Sequence, residues 1–408
     1  MSRSRSPLLV LFFTVFIDMV GFGVIIPVLP LYADRFHATP LQIGLLTGIY
    51  SGMQIIFTPL LGKLSDRYGR RPVLLFSIAG TALGFALMGA GRSLLMLFVA
   101  RIIAGVTGGN ISIPQAYIAD VTTPETRSKS MGMIGAAFGL GFTFGPMIGG
   151  IMSRVSYAAP FYFAAALAAV NCALVYFILP ESLSREHRIA PHKKASTAEV
   201  FRHGNGWMFG LVVATYFFLT GSFTIMTTLF ALFTERRFGY DAHANGYIFG
   251  FIGIVTVAVQ GGLIGRAVKL FGETALSRVG LIVTAMSLAA LPFSNGLGTL
   301  LAACAGLAIG SSLASPTLNG LASQMVERSW QGRALGVVQS AGSAARLLGP
   351  LLGGFLLMMD LRKPVGHYAE TPFYVAALLC LVGAGLAFCL KRPAADRIPE
   401  SIPVGSSV

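Results

Sequence analysis

Apolar runs long enough to cross a bilayer recur from one end of this 408-residue chain to the other, and that recurrence constrains the fold before any motif is read. An α-helix needs about 20 predominantly apolar residues to span the hydrocarbon core. Twelve such runs are predicted, over 8–30, 42–62, 73–91, 94–118, 130–152, 159–179, 207–233, 243–266, 275–294, 297–321, 333–358 and 372–391. Only Gly91, Arg92 and Ser93 separate the third from the fourth. Charged residues make up 11% of the chain and hydrophobic ones 54%, whereas a soluble domain is roughly one-quarter charged. So few charges cannot cover the surface that a soluble chain of this length exposes. The expected fold class is an all-α membrane protein with twelve transmembrane helices. The N-terminal MSRSRSPLLVLFFTVF begins like a signal peptide. Its apolar run continues to Pro30 without a small-residue cleavage site, so it reads as a retained first helix.

The net charge of +14 would suggest nucleic acid as the partner of a soluble protein. Here the charges sit between spans, and their sidedness is the better guide. An even number of spans puts both termini on one side, which collects 21 of the 30 Lys and Arg residues. Seven lie on the other side, and Arg101 and Arg346 fall inside spans. That bias places the termini in the cytoplasm. The longest polar segment, 180–206, contains PESLSREHRIAPHKK and reads as a cytoplasmic linker. It divides an N-terminal six-helix half (1–179) from a C-terminal one (207–392), with a short cytoplasmic tail at 393–408. Cys172, Cys304, Cys380 and Cys389 lie in or at the ends of apolar spans and read as packing residues. The six histidines lie in or near loops, so no metal site is expected. There is no phosphate-binding loop, HExxH or GxSxG. The chain is therefore expected to be neither an enzyme nor ATP-driven, and to need no cofactor.

The two halves repeat each other. GLGFTFGPMIGG at 139–150 and GSAARLLGPLLGG at 342–354 share G-P-x-x-G-G, which sets Gly145, Pro146, Gly149 and Gly150 against Gly349, Pro350, Gly353 and Gly354. Gly132 matches Gly336 at the same offset, and GKLSDRYGRR at 62–71 loosely matches GRAVKLFGE at 265–273. Duplicated six-helix halves around a central cavity are the architecture of a rocking transporter.

The loop Gly62–Arg71 matches G-x-L-x-D-R-x-G-R-R at Gly62, Asp66, Arg67, Gly69, Arg70 and Arg71, and so resembles the signature loop of the major facilitator superfamily. Its glycines permit tight turns, and Asp66 can cap a helix or pair with a loop arginine, latching the cytoplasmic face in one state. RIIAGVTGG at 101–109 resembles the family's second signature, with Arg101 buried. The helix-5 motif, including Gly141, resembles that of the antiporter branches; its small residues let helices approach closely and its proline can kink the helix. With AYIADVTTPETR at 116–127, residues 101–150 look similar to the tetracycline/proton antiporters and related drug exporters. The resemblance implies the major facilitator fold of two pseudo-symmetric six-helix bundles. It also implies a monomer in a bacterial inner membrane that carries a small molecule and protons amid membrane lipid, with no nucleic acid.

Asp18 is the one carboxylate deep in an apolar span, and a group of that kind suits proton binding and release. Arg346 could attract an anionic group or pair with Asp18 in one state. Tetracycline exporters carry further acidic residues in helices 3 and 9; neither span has one here, which argues against a metal-chelate substrate. The remaining polar candidates for a substrate cavity are Gln54, Asn110, Gln115, Asn171, Gln260, Asn319 and Gln339. The function expected is proton-coupled export of drug-like or amphipathic molecules by alternating access. The alternative is a proton symporter or facilitator importing a small nutrient.

Overall fold

The computed structural model describes residues 5–108, 112–183, 200–201, 206–327 and 330–390. Asn110, most of the expected linker and the tail at 393–408 lie outside them. The first half holds α1 (Arg5–Asp34), α2 (Pro40–Tyr68), α3 (Arg70–Gly89), α4 (Leu94–Val106), α5 (Ser112–Val121), α6 (Pro124–Ser153) and α7 (Ala159–Ile178). The second holds α8 (Gly206–Phe238), α9 (Ala242–Ala258), α10 (Ile264–Phe271), α11 (Glu273–Ala290), α12 (Leu297–Gln324), α13 (Gln331–Asp360) and α14 (Glu370–Phe388). Among the described residues, eleven helical spans are long and apolar enough to cross a membrane. The twelfth is the α4–α5 pair.

Two expected spans are not continuous α-helices. The run predicted over 94–118 leaves the α-helix at Thr107 and Gly108, and the described residues from Ser112 are helical again. The run over 243–266 passes through a π-helical turn at Val259–Leu263, which separates α9 from α10. Other ends follow local chemistry. Ser93 caps α4 by accepting from the Met96 amide, so the short separator recognised in the sequence is a helix start. Thr39 and Gln42 form a capping box on α2. Gly69 and Gly272, at matching places in the two repeated loops, both turn the chain with positive φ, at 108° and 79°.

Large apolar side chains remain exposed around the bundle, among them Leu95, Phe177, Trp207 and Leu270, as expected where lipid is the solvent. The side bearing the termini is called inner below, and the opposite side outer. In the first half α6 packs on α1, and in the second α13 packs on α8. Two antiparallel pairs join the halves, α2 with α13 and α6 with α9. Buried apolar residues from both halves form one continuous core, from Ile25 and Leu46 to Phe230 and Phe249. A second, separate core belongs to the first half alone, around Val10, Leu61, Leu74 and Ile134. In the first half the shared core holds outer residues such as Val28, Leu29 and Leu97, whereas in the second it runs from Phe230 at the outer side to Phe209 and Leu390 at the inner side. The separate core fills the inner side of the first half.

Candidate functional site

The three charges found inside apolar spans converge on one aromatic residue. Asp18, in the middle of α1, is buried, and Arg101 on α4 is 2% exposed. The Arg101 guanidinium donates from Nε to the Leu46 carbonyl at 3.1 Å and from Nη2 to the Thr47 carbonyl at 3.0 Å. It also sits 4.6 Å from the Tyr50 ring centroid. All three partners are on α2. A buried cation needs such a set of acceptors, and this one serves to bind α4 to α2.

Tyr50 carries the connection further. Its hydroxyl accepts from Gln54 Nε2 at 3.0 Å, and Gln54 also donates to the Gly108 carbonyl at 3.4 Å. Gln54 thereby ties α2 to the point where α4 breaks. Asp18, Arg101 and Arg346 all lie close enough to the Tyr50 phenol to act on it electrostatically. Arg346 comes from α13, in the other half. Its Nη2 donates to Ser343 Oγ at 2.9 Å, and it lies beside Tyr216 of α8. Five helices therefore meet here, and both halves supply charge.

The inner loop is organised around Arg70, which is 8% exposed. It pairs with Asp66 at 2.5 Å and with Asp120 at 3.0 Å, and its Nη1 donates to Ser65 Oγ at 2.8 Å. The Glu181 carboxylate accepts from the backbone amides of Arg70 and Arg71 at 2.9 and 3.3 Å, stabilising the start of α3. Arg71 Nη2 also donates to the Tyr176 carbonyl, and Arg67 faces its neighbour Tyr68. Asp66 thus pairs with a loop arginine, one of the two options the sequence left open. Apart from Glu181, at the start of the linker, these partners belong to the first half.

The glycines of the fifth-helix motif are where backbones touch. A methyl group at Gly145 would lie 2.7 Å from the Val20 carbonyl oxygen, and one at Gly149 would lie 2.7 Å from that of Val24. Gly141 abuts Met19. These three seat α6 on α1. Gly150 faces the other way, and a methyl there would lie 2.6 Å from Gly246 Cα of α9. The repeat behaves alike. Gly349 and Gly353 seat α13 on α8, and Gly354 abuts Pro40 and Leu41 of α2. Pro350 continues that second contact, its carbonyl meeting Gly44. Pro146 closes the α1–α6 contact at Gly23.

The outer loops are held by cations over aromatic rings. Arg35 lies 3.9 Å from the Tyr157 ring centroid and Arg236 lies 4.4 Å from that of Tyr368. Burial pushes the Tyr157 phenol up, against the opposing pull of Arg35. Buried Asp360 accepts from the Thr371 amide at 2.8 Å and pairs with Lys363 at 2.8 Å.

Among the described polar cavity candidates, Gln54 bonds into this centre. Asn171 is buried and accepts from Thr14 Oγ1 at 3.0 Å, so it braces α7 against α1 and does not line a cavity. Asn319 is half-buried and donates to the Ser315 carbonyl of its own helix. Gln115 and Gln339 are exposed, and so is Gln260, within the π-helical turn. Asn110 is not described. Among the described residues no group of three or more His, Cys, Asp or Glu side chains is arranged to hold a metal ion. Sequence reasoning missed Tyr50 and Tyr216, because a tyrosine in an apolar span reads as packing.

Comparison with known proteins agrees with this architecture. The family profile of the Major Facilitator Superfamily matches residues 11–273 and 261–406. The chain is 32% identical to the class H tetracycline resistance protein of Pasteurella multocida, over 93% of each chain. It is 29% identical to multidrug resistance protein 2 of Bacillus subtilis (strain 168), over 97% of this chain and 98% of the relative. Among solved structures, it superposes with a TM-score of 0.79 on a bacterial homologue of the human lysosomal transporter Spinster in an inward-facing, unoccupied conformation. That match is 15% identical and covers 96% of this chain and 98% of the other.

Proposed function

We propose that this chain, which belongs to the Major Facilitator Superfamily, is a proton-coupled exporter of drug-like or amphipathic small molecules. The observation that carries this reading is the buried charge centre, to which both halves contribute, beneath an outer side whose helices touch backbone to backbone. Similarity to tetracycline and multidrug resistance proteins supports export as the direction. Neither α3 nor the interior of α11 holds a carboxylate, so the substrate is an amphipathic molecule that needs no multi-carboxylate metal-chelate site.

The halves, 1–179 and 207–392, rock about the centre, and the protein works as a monomer in a bacterial inner membrane with cytoplasmic termini. Substrate enters from the cytoplasm or inner leaflet while the outer seam is shut. Arg70, tied to Asp66 and Asp120 within its own half, leaves the cytoplasmic ends free to separate. After the outer side opens, a proton from outside binds at Asp18 and resets the cycle. One charge moving down the membrane potential supplies about 2.3 kcal/mol per 100 mV, enough to drive substrate uphill.

Everted vesicles with an acidified lumen test this. Addition of a transported compound, tetracycline included in the panel, should release protons from the lumen, and Asp18→Asn should abolish the release. Uptake into right-side-out vesicles, with silence in everted ones, would replace the exporter with a nutrient importer.

A further inference from the structure

Tyr50 stands where the charges of the two halves meet, and its hydrogen bonding is asymmetric. One side of its hydroxyl accepts from Gln54 at 3.0 Å, which leaves the phenolic proton to be donated. Of the three ionic groups around it, Arg101 and Arg346 are guanidiniums with no acceptor. Asp18, one turn along α1 from Phe22, which packs on the Tyr50 ring, is the one of the three that can accept. The ring itself is fixed. Phe22 packs 5.9 Å away on α1 and Arg101 lies over the face at 4.6 Å. Tyr216 is the further titratable group at the centre, on α8 beside Arg346.

Arg101 and Arg346 differ in what holds them. Arg101 bonds to the α2 backbone at Leu46 and Thr47, the turn before Tyr50, so it travels with the first half. Arg346 belongs to α13, and its distance from Tyr50 depends on the contact between α2 and α13. That contact is made beside both residues. A methyl at Gly48 would lie 2.7 Å from the carbonyl oxygen of Leu347, the neighbour of Arg346. At Gly44 it would collide with the Pro350 carbonyl. Separation of these backbones, which opening of the outer side requires, withdraws Arg346 from Tyr50.

We propose that Tyr50 is a positioning residue that couples Asp18 of α1 to Arg346 of α13, and does so only while α2 and α13 are in backbone contact. Asp18 then experiences a positive neighbour when the outer side is shut and loses it when that side opens. This rests on the reading of Asp18 as the proton site. The glycines of the seam, through Tyr50, set when that site holds its proton.

Infrared titration of the purified full-length protein tests the proposal without any substrate. The Asp18 carboxyl band is identified by its loss in Asp18→Asn. Removal of the Arg346 charge in Arg346→Gln should move the titration midpoint of that band by about one pH unit toward higher pH. Tyr50→Phe keeps the ring and its packing and should move the midpoint by a comparable amount. The double variant should move it no further than the larger single change, since interacting residues are not additive. Gly48→Ala alters no charged or titratable group and, by pressing on the Leu347 carbonyl, should reproduce the Arg346→Gln shift by forcing α13 away. A wild-type midpoint in Tyr50→Phe, or shifts that simply add in the double variant, would overturn the coupling. If these shifts are seen while everted vesicles show no proton release, the exporter reading fails and the link between Tyr50, Asp18 and Arg346 stands.

Discussion

The outer and inner ends of the two inter-half helix pairs are built from the same residue type and treat it in opposite ways. Toward the outer end, α6 and α9 touch at Gly150 and Gly246, and Gly253 lies against Thr143. In the other pair, Gly44 and Gly48 of α2 meet the carbonyls of Pro350 and Leu347. Toward the inner end, a methyl added at Gly132, Gly135 or Gly139 of α6 would meet nothing within 4 Å. The same holds for Gly261, Gly262 and Gly265 beyond α9, and for Gly62, Gly332 and Gly336 in the other pair. Glycine weakens a helix by roughly 0.5–1 kcal/mol relative to alanine. A row of glycines facing open space gains nothing in this conformation to offset that cost. On the rocking cycle proposed above, the inner glycines serve another state, one in which the inner ends close as the outer ends are closed here. Carried inward, the antiparallel register of the outer contacts brings Gly62 opposite Gly332 and Gly135 opposite Gly261.

The largest expected effect is a lock. In a background with Cys172, Cys304, Cys380 and Cys389 replaced, the pair Gly62→Cys and Gly332→Cys should cross-link under oxidant. Transport should then fall to background and return on reduction. Failure to cross-link under any condition would break the comparison, because the inner ends would then never meet in this register. A smaller effect is expected at the outer seam. Gly44→Ala should cost the shut state about 1–3 kcal/mol by overpacking, and so raise labelling of a cysteine placed at Ala242 by an impermeant maleimide added outside. Ala242 is 1% exposed, so unchanged labelling would mean that the seam yields without opening. The smallest effect is at Gly135→Ala. Its methyl meets open space, so thermal stability should rise by roughly 0.5–1 kcal/mol, the helical advantage of alanine over glycine, while transport slows by less than about tenfold through the other state.

Much of this contrast could be read from the sequence, and the reasons are physical. Apolar periodicity and the bias of Lys and Arg depend on the bilayer alone, which is why the spans emerge without tertiary information. The repeated G-P-x-x-G-G marks the seam because only glycine lets two helix backbones approach so closely. The break in the fourth span was harder to see. Val106, Thr107 and Gly108 look like any apolar stretch with small residues, and the Gly108 carbonyl finds its partner in Gln54, on another helix. Asn171 and Gln54 carry similar amides in similar spans. Only the packing decides that one braces Thr14 and the other reaches Tyr50. The second-half loop preserves the turn of the first at Gly272 but inverts its charges. Lys269 and Glu273 stand where the first loop has Asp66 and Arg70, and Glu273 bonds to Gln324 at 2.9 Å.

The outer seam also bears on how such a protein can evolve. Every single-step replacement of Gly150 or Gly246 adds at least a β-carbon where two backbones already touch, so neither position can drift. Gln115, Asn319 and Gln339 make no such contact and can be exchanged one at a time. If those polar residues line the substrate path of the proposed exporter, a lineage built on this chain can change its cargo while inheriting the glycine seam intact. A saturation-mutagenesis survey would show it as a sharp line of intolerant glycines running beside a tolerant set of polar residues.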